Sequence, residues 1–200
     1  NHQIRRIDTM GGDAKTVAGA AGEPGSADGT GGAARFWGPA GVAATSGALY
    51  VSDMYNRTVR RIDTGTWTAT TIAGMVGETG TSDGIGSAAR FSQPWGLAVD
   101  GGYLYVADRM NHAVRRVDLT TREVTTFAGS AGLGGYTDAV GTEARFWAPM
   151  GLAAGSGVLY VVAYGNHAIR AIDTGTGAVR TVAGTGSIGS ADGIGSSASF

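Results

Sequence analysis

Three histidines stand directly after an asparagine, in the pairs Asn1-His2, Asn111-His112 and Asn166-His167, while a fourth asparagine, Asn56, is followed by Arg57. Aspartates Asp53 and Asp108 precede two of these asparagines by three residues. Imidazole and carboxylate together could hold a metal or move a proton, but a metal site needs about three ligands converging on one point. Here each histidine sits alone on its own connection, and Ala163 stands where the last copy would carry its aspartate. Short polar side chains in a tight connection hydrogen-bond nearby backbone groups. We therefore read Asn1, His2, Asp53, Asn56, Asp108, Asn111, His112, Asn166 and His167 as the signature of a repeated structural turn.

A second candidate is the glycine-rich run from Gly25 to Gly31, repeated at Gly80 to Gly86 and Gly189 to Gly195. One aspartate per run falls short of the roughly six to eight oxygens that calcium takes. Phosphate-cradling glycine loops need a strand before and a helix after, and that context is missing. The run is expected to be an Asp-centred connection of about 15 residues, a length at which loops often carry binding. Arginines recur as well, at Arg5, Arg60, Arg115 and Arg170 and at Arg35, Arg90 and Arg145, each close to an aspartate of its own unit, which predicts pairing. No Ser-His-Asp or paired-carboxylate spacing stands out. The sequence therefore assigns no catalytic residue and no metal ligand, and it implies no cofactor.

Composition narrows the classes further. The 200 residues include no cysteine, which excludes a disulfide framework and a thiolate nucleophile. Fifteen basic side chains face 16 acidic ones, a balance that argues against nucleic acid as a partner. No run approaches the roughly 20 apolar residues of a membrane helix, so no membrane role is expected. The chain opens at Asn1 without an initiator Met or a signal peptide, which suggests a segment of something longer.

The elements that position these residues follow from an internal period. Asn1, Asn56, Asn111 and Asn166 are spaced by 55, as are Asp8, Asp63, Asp118 and Asp173, while Phe36, Phe91, Phe146 and Phe200 step by 55, 55 and 54. Within a unit the β-branched and aromatic runs Leu49-Tyr50-Val51 and Leu104-Tyr105-Val106 read as strands. Thr58 to Asp63 alternates apolar and charged residues, as a strand buried on one face would. With Gly96-Leu97-Ala98-Val99 and Ala69-Thr70-Thr71-Ile72-Ala73 this makes four strands per unit and no amphipathic helix. Four-stranded repeats predict an all-β fold, a β-propeller of antiparallel blades whose ring is incomplete in this chain. The expected division is a partial blade at 1–33, blades at 34–88, 89–143 and 144–198, and the start of a further unit at 199–200. Open sheet flanks invite association, so either the natural protein has more blades or copies of the chain complete one another as a homo-oligomer.

Asn111-His112-Ala113-Val114-Arg115, Asn166-His167-Ala168-Ile169-Arg170 and Asn1-His2-Gln3-Ile4-Arg5, with the Ala-Arg-Phe-x-x-Pro-x-Gly lead-in of each unit, resemble the NHL-repeat family of β-propellers. The likeness spans the whole chain. It departs from the family name at its third letter, which is Gln3, Thr58, Ala113 or Ala168. The resemblance implies a ring of about six blades and a non-catalytic scaffold that binds protein or ligand. Two other readings stay open: a propeller hydrolase or lyase with its active residues on blades outside this segment, and an RNA-binding face. Strand alternation puts the long glycine loops on the side that carries Met54, Tyr55, Arg109, Met110 and Tyr164, with Trp37, Trp95, Trp147 and Met150 at the channel mouth. Such aromatic, Met and Arg side chains suit an interface with a protein partner. Similar glycine-rich repeats in exported bacterial proteins imply an extracellular or periplasmic location.

Overall fold

A computed structural model describes all 200 residues as four antiparallel sheets joined by short turns, with no helix beyond single 3-10 turns. The first sheet pairs β1 (Gln3–Ile7) with β2 (Ala14–Gly19). Next come β3 (Gly29–Thr30) and the meander β4 (Pro39–Ala44), β5 (Ala48–Asp53), β6 (Thr58–Asp63) and β7 (Thr68–Ala73). The third sheet holds β8 (Gly84–Ile85), β9 (Pro94–Asp100), β10 (Tyr103–Asp108), β11 (Ala113–Asp118) and β12 (Glu123–Ala128). The last holds β13 (Pro149–Gly155), β14 (Val158–Ala163), β15 (Ala168–Asp173) and β16 (Val179–Ala183).

The core lies between the sheets rather than within any one of them. Tyr50, Val59, Ile72 and Phe91 pack with Leu97, Leu104, Val106 and Val117 to join the second sheet to the third. Tyr105, Val114 and Phe146 join the third to the fourth with Leu159, Val161 and Ile172. The innermost strands β4, β9 and β13 contact one another, so the sheets fan out from an axis as propeller blades do. Glycine makes this approach feasible. A Cβ at Gly96 would lie 2.1 Å from the Met150 carbonyl oxygen, and one at Gly41 would lie 2.3 Å from that of Trp95.

Two expectations are corrected. β6 is not buried on one face only: Val59 on one face and Arg60 and Ile62 on the other are all buried, because the neighbouring blade covers the first and the glycine loop closes over the guanidinium, while the paired strand β7 carries an extra residue opposite the Val59–Arg60 step. The same register shift recurs at Arg5, Arg115 and Arg170. Nor do the long glycine loops stay on one side. Residues 29–30 cross to the opposite end and pair with the first residues of β7, and the Gly31 amide then donates to the Trp67 carbonyl. This short strand joins the sheet that follows the loop, as β8 does on β12.

Both ends of the arc lack a neighbour. Tyr160 is 42% exposed, whereas its counterparts Tyr50 and Tyr105 are 6% and 2% exposed under the next blade. At the other end a hollow of about 450 Å³, lined by Ile4, Val17, Val42, Leu49 and Trp67, lies beside the two-stranded first sheet.

Candidate functional site

The repeated signature builds a buried polar knot in the second and third sheets and a variant of it in the fourth. The β5–β6 connection brings Asp53 and Asn56 beside Arg60. Asp53 Oδ1 accepts the Trp37 amide at 2.7 Å, and its Oδ2 accepts Asn56 Nδ2 and Arg60 Nη1, each at 2.8 Å. Arg60 is fully buried and reaches into the glycine loop, donating to Asp28 Oδ1 at 2.7 Å and to the Ala27 and Arg35 carbonyls at 2.9 Å. Its guanidinium lies over the Phe36 ring, 4.9 Å from the centroid. Asp28 also accepts the Thr71 amide and hydroxyl, at 3.1 and 3.0 Å. Asp108, Asn111 and Arg115 repeat the knot with Ser92, Asp83 and Phe91. Burial raises the pKa of Asp53 and pushes that of Asp108 up to about 6, against the pull of Arg60 and Arg115.

The last blade shows how the knot survives without its carboxylate. Ala163 replaces the aspartate, and Asn166 Oδ1 itself accepts the Trp147 amide at 2.8 Å while Arg170 keeps its bond to Asp138. Two of the three histidines, His2 and His112, stitch one blade to the next, while the His167 side chain makes no such bond. His2 Nδ1 accepts the Gly38 amide at 3.2 Å, and His112 Nδ1 accepts the Ala148 amide at 3.1 Å. Both take left-handed backbone, φ 57°. Burial holds the His112 imidazole below its usual pKa. Arg57 makes no such stitch and donates to the Tyr55 and Gly77 carbonyls instead.

Pairing of the second arginine set is confined to Arg35, which meets Glu23 at 2.7 Å. Arg90 and Arg145 bond to loop carbonyls rather than to carboxylates, because the loop aspartates are already held by Arg115 and Arg170. The aspartates Asp28, Asp83 and Asp138 are the structural residues that reading the turns alone missed. Each lies 32 residues before its arginine, a spacing repeated three times and visible in the sequence.

What remains free is the surface where the β5–β6, β10–β11 and β14–β15 connections emerge. Trp37 and Tyr55 are about half exposed, their ring centroids 5.7 Å apart, beside a shallow hollow of about 310 Å³ that Trp37, Pro24, Asn56 and Val76 line. Two blades on, Trp147 is exposed at the repeat position of Trp37 and lies against the Gly165 backbone, which stands where Tyr55 does, while the exposed Tyr164 stands at the repeat position of Met54. Between them Arg109 covers the Trp95 ring at 5.5 Å and donates to Gln93 Oε1 at 2.9 Å, with Met110 exposed and Met150 partly buried. Met54, expected on this surface, is buried. Tyr164, at the same repeat position two blades on, is exposed, so the turn alone does not decide the burial of Met54.

Comparison with known proteins agrees with this architecture. The family description "NHL repeat" matches residues 91–116. The chain is 38% identical over 101 residues to NHL repeat-containing protein 2 of Homo sapiens, covering 48% of this chain and 14% of that protein. It is 35% identical over 131 residues to the chloroplastic Protein SUPPRESSOR OF QUENCHING 1 of Arabidopsis thaliana, covering 60% of this chain and 12% of that protein. The chain thus spans a small part of these relatives' length. An auxiliary nutrient binding protein from Bacteroides ovatus superimposes with a TM-score of 0.67 at 19% identity, over 100% of this chain and 51% of that one. A nidogen/laminin complex matches at 13% identity with a TM-score of 0.59, over 89% of this chain and 55% of that one, and both likenesses concern the fold alone. Four blade positions built on the same Asn-centred turn, with the NHL-repeat match at residues 91–116 in the third, make the fold an NHL-like β-propeller.

Proposed function

We propose that the chain is a non-catalytic propeller scaffold that binds a protein partner through the face bearing Trp37, Tyr55, Trp147 and Tyr164 and that assembles with further propeller units through its open flanks. The observation that carries the reading is a division of labour. The titratable groups of the signature, Asp53, Asp108, Arg60, Arg115 and His112, are occupied in holding blades and loops together. The large aromatic rings on the same side are left half exposed. Rigid aromatic side chains with exposed faces are typical anchors of protein interfaces, since they contribute wide contact area at low entropic cost.

The test pans a displayed peptide library against the chain and compares retention on a Trp37→Ala, Trp147→Ala double variant. Both positions are exposed, so the fold should be unchanged by circular dichroism. Selected peptides are expected to lose at least tenfold in affinity for the double variant and to be unaffected by Thr120→Ala at the opposite end. Equal retention on both variants would refute the aromatic face.

A further inference from the structure

The repeat supplies its own controls, because a feature that one blade carries and its siblings lack is not required by the fold. Above the second sheet the Trp37 and Tyr55 rings form an open wedge, tilted by 47° with centroids 5.7 Å apart. Both are about half exposed, and Pro24 and Val76 line the shallow hollow of about 310 Å³ beside them. The third sheet has Ser92, Met110, Thr79 and Ala131 at these repeat positions, and the fourth sets Trp147 beside Gly165. Neither sibling builds a wedge.

Gly38 seats the tyrosine. A Cβ there would lie 2.4 Å from Tyr55 Cδ2 and 2.7 Å from its Cε2. Left-handed backbone is not what calls for glycine, since φ is 63° at Gly38 while Gln93 and Ala148 hold the same repeat position at 64° and 49°. Room for the phenol ring is. Where the fourth blade carries Ala148, its counterpart of Tyr55 is Gly165, with no ring to accommodate. A ring already seated before a ligand arrives reduces the entropy lost on binding.

Hydrogen bonding around the hollow is one-sided. Trp37 and Tyr55 bond only through backbone atoms, so the indole N–H and the phenol O–H remain as donors. The nearby carbonyls are taken: Gly25 accepts Asn56 Nδ2 at 2.6 Å, Tyr55 and Gly77 accept Arg57, and Trp37 accepts the Tyr55 amide. Asn56, 3% exposed, spends its Nδ2 on Gly25 and Asp53 and keeps its Oδ1 as an acceptor at the hollow. An ordinary peptide brings one N–H for every C=O, whereas a proline brings the C=O alone. A cleft with more donors than acceptors therefore matches a segment rich in proline, and Asn56 Oδ1 can take the N–H of a residue between prolines.

We infer that the wedge of Trp37 and Tyr55 docks a proline-containing segment of the protein partner in the polyproline II conformation, with a prolyl ring between the two aromatic rings. That conformation has no internal hydrogen bonds, leaves its carbonyls available, and docks in aromatic-lined grooves. The inference deepens the aromatic-face reading above and rests on it.

Fluorescence anisotropy with a fluorescein-labelled peptide of repeated Pro-Pro-Ala units tests the assignment, against a control peptide with glycine at every proline. The proline peptide should bind the chain at least tenfold more tightly than the control. Gly38→Ala, which installs the residue of the fourth blade, and Tyr55→Met, which installs that of the third, should each weaken binding at least tenfold with circular dichroism unchanged. Tyr55→Met alone decides if Gly38→Ala alters the spectrum. Trp147→Ala should leave the affinity as it is. Equal affinity for the two peptides overturns the proline assignment, and affinity that neither substitution lowers overturns the wedge. Library peptides that lack proline yet need Trp37 and Trp147 would defeat the proline assignment and leave the aromatic face standing. Peptides indifferent to both tryptophans would remove the face and this inference together.

Discussion

A fully buried arginine is tolerable only when its partners are in place, and the three copies of the knot show what each partner contributes. Removing one member of a buried pair leaves the other charge uncompensated, at a cost of about 3–5 kcal/mol. Arg115→Ala would strand the carboxylate of Asp108 and release the glycine loop at Asp83, so urea unfolding should show a loss of that size. Asp108→Ala should cost less, about 1–3 kcal/mol, because the last blade demonstrates the remedy: the asparagine turns its own oxygen to the orphaned amide, as Asn166 does beside Ala163. The pH dependence has a definite sign. Burial raises Asp108 from its ordinary 3.8 to about 6, so the folded chain takes up this proton before the unfolded chain does. The ionised form costs stability at pH 7, and that cost is relieved as the pH falls through 6 toward 4. Asp108→Ala should therefore destabilise more at pH 5 than at pH 7 in paired thermal melts. His112, held below its usual pKa, works the other way and loses stability as pH falls below about 6.5, but it does so in both chains and cancels in the comparison. The remaining irregular position gives a gain rather than a loss. Arg57→His would offer the Gln93 amide the acceptor that His2 gives Gly38 and His112 gives Ala148, and should raise stability by about 0.5–1.5 kcal/mol in denaturant melts. No gain would mean that this amide already has an equivalent partner.

At the scale of the element, the decisive constraint is how closely β4, β9 and β13 approach. Gly96 faces the Met150 carbonyl so directly that a methyl group has nowhere to go, and backbone cannot rotate away as a side chain could. Gly96→Ala should therefore separate the third and fourth blades and cost about 1–3 kcal/mol, read as a lower unfolding midpoint. The same substitution at Gly47, where nothing lies within 4 Å, should be nearly neutral. The strands themselves were legible in the sequence, because four copies of one period place every Leu-Tyr-Val run and every Asn turn without ambiguity. Burial of β6 was not legible. Alternation of Val59, Arg60, Arg61 and Ile62 reads as one wet face, and only the loop that closes over that face, through Ala27 and Asp28, brings Arg60 inside. The path of that loop was equally hidden, since β3 and β8 are two residues long and owe their pairing to the neighbouring sheet rather than to their own composition. Among the candidate site residues, Met54 is buried while Tyr164, at the same turn position two blades on, is exposed, a distinction the repeat register does not make.

The molecule as a whole is a stack in which each blade is stabilised mainly by its neighbours, and its stability should therefore be graded along the arc. In arrays of this kind total stability is close to a sum of unit terms and nearest-neighbour interfaces. The first sheet has two strands and a small shared cluster of Ala18, Ala34, Phe36, Val51, Ile62 and Ala69. The fourth is complete but covered on one side, while the second and third contribute to two interfaces each. Local opening follows such differences, with the least supported segments exchanging first. Native-state hydrogen exchange should rank the amides of β1 and β2 as the least protected, β14 to β16 as intermediate, and β10 and β11 as the most protected. The gap between β1 and β11 should reach about a hundredfold or more in protection, equivalent to at least about 2.7 kcal/mol. Uniform protection across all four sheets at low concentration would instead mean that the arc unfolds as one unit, and the nearest-neighbour description would fail.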